Sequence, residues 1–233
     1  MAEEKKAQDK KKQLEALNEE MAGNSKCCQL ADVRTNIVPG EGNADADVLF
    51  IGEGPGRNED EQGRPFVGQA GQLLNQLLAE IGWKREDVFI ANVVKCRPPQ
   101  NRDPLPEEVE TCWPWLVKQV EIIEPQLIVL LGRHAMERFL PGMKISAVRG
   151  KVLRRNIPGI GMKVLMPTYH PAAALYHGQW LTPLKEDFRK IPRIIEHLKS
   201  GSVEGLRSDS DNCDWDSLEI GPKKEEHSQG RLL

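Results

Sequence analysis

Hydrophobic and polar positions along the chain fall into two alternating kinds of segment. Short apolar runs at Val48–Ile51, Val88–Val94, Leu127–Leu131 and Lys163–Met166 read as buried strands. Amphipathic stretches lie between them. Gly71–Ile81 places Leu73, Leu74, Leu77, Leu78 and Ile81 on one face of a helix. Pro106 opens a helix through Glu121, with Glu107, Glu108 and Glu110 in its first turns, where acidic groups suit the helix dipole. Gly132 leads from the third strand into a short helix, Arg133–Leu140, and Ser146–Leu153 predicts an extended hairpin arm. Leu184–Leu198 predicts a closing helix. Strands alternating with helices imply an α/β fold, a three-layer α-β-α sandwich around a mostly parallel four-stranded sheet.

The ends of the chain break this rhythm. Residues 1–24 carry five Lys and six acidic residues around three apolar positions, Leu14, Leu17 and Met21, and predict a frayed or loosely docked helix. Residues 201–233 are rich in Ser, Gly, Asp and Glu without a sustained period and predict a disordered acidic tail. The folded domain is therefore expected over 25–200.

Composition adds limits rather than an activity. Of the 233 residues 39% are hydrophobic, a low share that the two polar ends explain. The whole chain has a formal charge of −3, whereas residues 25–200 hold 23 basic and 21 acidic residues. That balance excludes nucleic-acid binding by bulk charge alone but permits a local basic face. Arg133, Arg138, Lys144, Arg149, Lys151, Arg154 and Arg155 form such a stretch, or else an ordinary solvated surface. No apolar run has the length of a membrane span or of a signal peptide, which points to an intracellular, cytoplasmic or nucleoid-associated protein. Five cysteines in a reducing compartment suggest thiol, metal or catalytic roles rather than disulfides.

In open parallel sheets, ligands bind beyond the carboxyl ends of the strands. Three unusual segments fall there. The first strand runs into Gly52-Glu53-Gly54-Pro55-Gly56, where a backbone with few side chains lets a planar ligand approach closely. Glu53, Glu59, Asp60 and Glu61 put carboxylates beside that opening, and Phe66 adds a flat apolar surface. The Gly-x-x-x-x-Gly-Lys-Ser/Thr spacing is missing and the carboxylates would repel phosphate, so a phosphate loop is a poor reading. The second strand ends in Asn92-Val93-Val94-Lys95-Cys96-Arg97-Pro98-Pro99-Gln100-Asn101-Arg102. An amide inside an apolar strand either satisfies a backbone bulge or offers donor and acceptor to a heterocycle. The fourth strand ends in Pro167-Thr168-Tyr169-His170-Pro171, which holds a histidine in a rigid turn. Cys96 and Cys112 are too sparse a pair to define a metal site by spacing.

Together these three motifs, with Arg34-Thr35-Asn36-Ile37-Val38-Pro39-Gly40, closely resemble the family-4, iron–sulfur uracil-DNA glycosylases from about Cys28 to about Lys199. The resemblance implies a monomeric base-excision enzyme acting on uracil-containing DNA. It implies that Glu53 and Gly54 wall the pocket and that Glu59 positions or activates the attacking water. Phe66 would stack on the flipped uracil, Asn92 read its polar edge, Asn101 support the pocket or the water, and His170 hydrogen-bond the uracil O2. Leu175 and Tyr176, in the loop after His170, are candidates to fill the space vacated in the duplex, and Arg149 is a candidate DNA contact. Asn101-Arg102-Asp103-Pro104 continues directly, without the basic, His-containing insertion of the branch that binds uracil-DNA covalently. A non-catalytic DNA-binding protein is opposed by the presence of Glu59, Asn92 and His170.

The same resemblance implies a [4Fe–4S] cluster, usually held by four cysteines of which the first two form Cys-x-x-Cys. Cys28, Cys96 and Cys112 match the second, third and fourth ligands, but Ser25 stands in the place of the first. Cys27, beside Cys28, supplies the missing thiolate in this reading, because a thiolate binds iron far better than a serine hydroxyl. The alternative is a three-cysteine site. Cys213 lies in the tail.

Overall fold

The computed structural model describes residues 2–23 and 29–200. The chain begins with α1 (Ala2–Gly23) and continues through β1 (Glu41–Gly42), β2 (Val48–Gly52), α2 (Arg57–Gln62), α3 (Gln69–Glu80) and β3 (Phe89–Asn92). It then forms α4 (Pro106–Ile123), β4 (Leu127–Leu131), α5 (Arg133–Phe139), α6 (Ile145–Val148), β5 (Leu153–Ile157), β6 (Gly161–Thr168), α7 (Pro171–Tyr176) and α8 (Leu181–Lys199). The strands make one six-stranded sheet in the order β1-β3-β2-β4-β6-β5. Its four central strands are parallel, and β1 and β5 add antiparallel edges.

The expected α-β-α sandwich is present, with two corrections. The sheet has six strands rather than four, because a two-residue β1 is too short to carry a period. The segment expected as an extended arm, 146–153, instead holds the short helix α6, and the hairpin forms one element later, as β5 and β6. Gly150, at φ +67°, breaks α6, and the β5–β6 turn runs through Pro158 and Gly159, the latter at φ +80°. Strand β5 is an edge, with Arg154 and Asn156 exposed between buried Leu153 and Ile157, which discourages pairing with another chain.

Every residue of β2 and β4 is buried, which explains their uninterrupted apolar runs. Helices α3 and α8 cover one face of the sheet through Leu74, Leu77, Phe188 and Ile191. The other face is covered by α4 and α5, with Leu116, Val120 and Met136 inward. The N-terminal helix is docked rather than frayed. Leu14, Leu17 and Met21 recur at helical spacing and bury against the α4 layer, and the buried Lys10 ammonium reaches Asp45 at 2.7 Å and the Ile123 carbonyl at 2.9 Å.

Candidate active site

The carboxyl ends of β2, β3 and β6 meet around one pocket of about 290 Å³. Glu53, Gly54, Glu59, Phe66, Asn92, Asn101 and His170 all line it, although their sequence separations reach over a hundred residues. Parallel pairing of β2 with β3 sets Gly52 beside Asn92, and the Gly132 amide, donating to the Thr168 carbonyl at 2.9 Å, brings the end of β4 to the His170 turn.

Local backbone geometry explains the glycines. A Cβ on Gly52 would lie 2.5 Å from Asn92 Oδ1 and 2.7 Å from the Phe66 ring, so only glycine lets both side chains pack over the end of β2. Phe66 itself has φ +51°, an uncommon value for a bulky residue. Its turn is held by Arg85, whose guanidinium donates to the Pro65 carbonyl at 2.7 Å and the Phe66 carbonyl at 3.1 Å. The Phe66 ring stacks with His170, centroids 5.5 Å apart and planes at 30°.

Glu59, in the first turn of α2, is anchored by one oxygen. Oε1 accepts from the backbone amides of Val67 at 2.9 Å and Gly68 at 2.8 Å. Oε2 faces Gly56, where a Cβ would stand 2.9 Å away. The carboxylate is thereby oriented with one oxygen left for a ligand or water.

Asn92 is 2% exposed, and its Oδ1 has no hydrogen-bond partner among the described residues. A buried acceptor left open is costly and points to a ligand donor that completes it. Beyond Asn92 the loop is fixed from both sides. Val93 and Val94 amides donate to the Gly52 and Glu53 carbonyls at 2.9 and 3.0 Å, and Glu108 receives a bidentate Arg102 at 2.9 and 2.6 Å. Gln100 and Asn101 both have positive φ, 56° and 57°, and Asn101 Oδ1 accepts from Arg97 at 2.7 Å.

His170 caps α7. Its Nδ1 accepts from the Ala172 amide at 3.1 Å, which places the proton of the neutral ring on Nε2. Burial drives its pKa down from 6.5 to about 4; Glu59 opposes that shift and His134 adds to it. The ring is therefore a neutral Nε2–H donor at neutral pH. In an unfolded chain this histidine would take its proton near 6.5, so between the two values the unfolded state binds more protons. The stability this group contributes is complete above pH 6.5 and is lost as the pH falls through about 4. Urea unfolding near pH 7 and near pH 4 should show a smaller acid loss for His170→Asn than for wild type, by at most about 3 kcal/mol. Equal losses in the two proteins would contradict the buried neutral ring.

Glu53 forms the outer wall. Burial first, then Asp103, pushes its pKa up to about 7, while Arg133 pulls it down. His134 stands between the two carboxylates, 3.9 Å from Glu53 and 3.3 Å from Asp103. Sequence reading missed both His134 and Asp103. The strand-end rule would have found His134, since it follows β4 as the other site residues follow β2, β3 and β6.

Leu175 and Tyr176 stand 47% and 84% exposed at the end of α7, one turn beyond His170. Arg149 is not part of the pocket. Its Nη1 pairs with the buried Asp187 carboxylate at 2.8 Å, its guanidinium lies 5.5 Å from the Tyr169 ring, and Thr168 Oγ1 donates to the same Asp187 at 2.7 Å. Cys96 and Cys112 are both fully buried, and Arg34 Nη1 donates to Cys96 Sγ at 3.0 Å. Lys95, beside them, is also fully buried; burial pushes its pKa down to about 7 against an upward pull from Cys112 and then Cys96. Ser25, Cys27, Cys28 and Cys213 lie outside the described residues.

The strand ends of the parallel sheet and the first turn of α2 thus bring Glu59, Asn92 and His170 to one small cavity. The profile of the uracil DNA glycosylase superfamily matches residues 39–196. A type-4 uracil-DNA glycosylase of Saccharolobus solfataricus is 53% identical over 72% of this chain and 80% of its own length. One from Sulfurisphaera tokodaii is 45% identical over 88% of this chain and 95% of its own. A type-5 uracil-DNA glycosylase of Thermus thermophilus is 32% identical over 58% of this chain and 68% of its own. The chain belongs to the uracil DNA glycosylase superfamily and, within it, to the type-4 uracil-DNA glycosylases.

Proposed function

We propose that this uracil-DNA glycosylase hydrolyses the N-glycosidic bond of uracil in single-stranded or duplex DNA, favouring U opposite G, and leaves an abasic site. The observation that carries the reading is the buried Asn92 Oδ1, unpartnered among the described residues, beside Phe66 and His170. Uracil offers an N3–H donor to that oxygen, a flat face to Phe66 and an O2 acceptor to the Nε2–H of His170. Negative charge grows on the ring as the base departs, and a fixed donor at O2 stabilises it. Glu59, held by two amides, orients water toward the sugar carbon and offsets the positive charge of an oxocarbenium-like sugar.

The base must first leave the stack, which costs a few kcal/mol for a paired base and less for a mismatch or a single strand. That difference is the basis of the preference for U opposite G. The exposed Leu175 and Tyr176 are placed to fill the vacated space. Glu53, just after β2, and Glu59 of α2 line the pocket, and a Cβ on Gly54 would already stand 2.7 Å from Val94. Asn92 reads an edge that uracil and thymine share, so rejection of thymine is steric, at C5.

Incubating the protein with duplexes that contain one U:G, U:A or T:G pair, and cleaving the product with alkali, tests the reading. Strand breaks at uracil are expected, with T:G slower than U:G by more than about 100-fold. Leu175→Ala is expected to slow duplex substrates and leave single-stranded uracil unaffected. Comparable cleavage of T:G and U:G would contradict the wall, and intact uracil strands would remove the activity.

The donor set also bears on a cofactor. Cys96 and Cys112 are buried, Arg34 donates to one sulfur, and the buried Lys95 directly precedes Cys96. Buried thiols with a guanidinium donor on one sulfur and a buried lysine next in the chain fit an anionic, thiolate-bound group. We assign these cysteines, with Cys28 and Cys27, to a [4Fe–4S] cluster, which would tie the N-terminal segment to the rim loop and α4.

A further inference from the structure

Lys95 is buried completely, and an ammonium in such a place is costly unless an opposite charge offsets it. Its Nζ donates to the Asn92 carbonyl at 2.8 Å and to Gln119 Oε1 at 2.6 Å, both neutral acceptors. No carboxylate among the described residues pairs with it, and the next residue in the chain is Cys96, buried as completely as Cys112. The network extends further. Gln119 Nε2 donates to the Pro39 carbonyl at 2.7 Å, and the Val38 amide donates to the Lys95 carbonyl at 2.8 Å. Lys95 thus joins α4 and the last residue of β3 through its side chain, and the 38–39 segment through its backbone carbonyl.

We infer that Lys95 is a positioning residue that joins the thiolate site to the uracil pocket: its ammonium is the buried counter-charge of the cysteine-bound group, and its bond to the Asn92 carbonyl fixes the strand end that presents the Asn92 amide. The inference rests on the cluster assigned above. Thiolates are created when cysteines bind iron, and their charge gives the ammonium the partner that the carbonyls do not supply. The same ammonium stiffens the end of β3, so the loaded site and a well-placed Asn92 depend on one residue. Lys95 makes no contact with the pocket itself, and so acts through Asn92 rather than on the base.

The experiment uses full-length protein purified without oxygen, with iron counted first. Lys95→Met should release iron to a chelator faster than wild type, by about 10–100-fold, the usual range for lost outer partners of metal ligands. Still loaded with iron, it should excise uracil more slowly in single turnover at saturating DNA, with unchanged affinity for DNA. Gln119→Glu keeps the lysine but hands it a buried carboxylate, so iron release should quicken in the same direction. It decides the matter if Lys95→Met does not fold. Wild-type iron retention in both variants overturns the proposal, as does a loaded Lys95→Met that excises uracil at full rate. Wild-type protein devoid of iron overturns the cluster assignment instead, and the two failures are thereby told apart.

Discussion

Glu59→Ala and His170→Ala are each expected to slow uracil release about 10²–10³-fold, the usual cost of one preorganised donor or charge in a transition state. Both groups are built for a single orientation. Glu59 is pinned through Oε1 by the Val67 and Gly68 amides, and His170 through Nδ1 by the Ala172 amide. Each thereby spends one atom on the fold and leaves one for chemistry. Both line the pocket, so affinity for a uracil duplex is expected to change little. The expected signature is a fall in single-turnover rate at saturating enzyme without a matching rise in Kd. His170→Gln, which restores a donor without the ring, should recover part of the loss. Near wild-type rates for both alanine variants would remove Glu59 and His170 from the mechanism.

Cys96→Ala and Cys112→Ala are expected to lose iron and the broad absorbance near ~400 nm of thiolate-bound iron–sulfur. Both sulfurs are fully buried, and metal binding of this kind contributes directly to folding. A loss of only about 4 kcal/mol lowers Tm by roughly 10 °C in a chain of this size. Stability and DNA affinity should fall before the chemistry at Glu59 does, because the cysteines lie behind the rim rather than in the pocket. Cys27→Ala should lose iron in the same way and Ser25→Ala should change little. A gain of iron in Ser25→Cys would instead show that the native site lacks a ligand and that Cys27 is a bystander. Excision rates that follow the redox state at saturating DNA would contradict a structural role for the cluster.

Periodicity alone determined the four central strands, the principal helices and the three-layer architecture. Burial on both faces demands unbroken apolar runs, and Val48–Ile51 and Leu127–Leu131 have no other use. The rim was legible for the same reason: glycines, an amide and a histidine at strand ends break a pattern that core residues keep. Short elements were not legible. The two-residue β1 has no period, and α6 and α7 are too brief to show one, so the Ser146–Leu153 arm was misplaced and the His170 cap was invisible. Docking of α1 depended on what its sparse Leu14, Leu17 and Met21 stripe would meet, and a stripe does not name its partner.

Tertiary structure alone decided the chemistry of individual atoms. A histidine in a sequence has neither tautomer nor proton affinity; the Ala172 amide and burial assign both to His170. Arg149 stood in a basic stretch that sequence reads equally as DNA contact or solvated surface, and its guanidinium is engaged by Asp187, 38 positions away. His134 and Lys95 gain meaning only from neighbours on other elements, Glu53 and Asp103 for one, Asn92, Gln119 and the cysteines for the other. Local propensity acts over a few residues, whereas desolvation and charge act between groups that only the folded chain brings together.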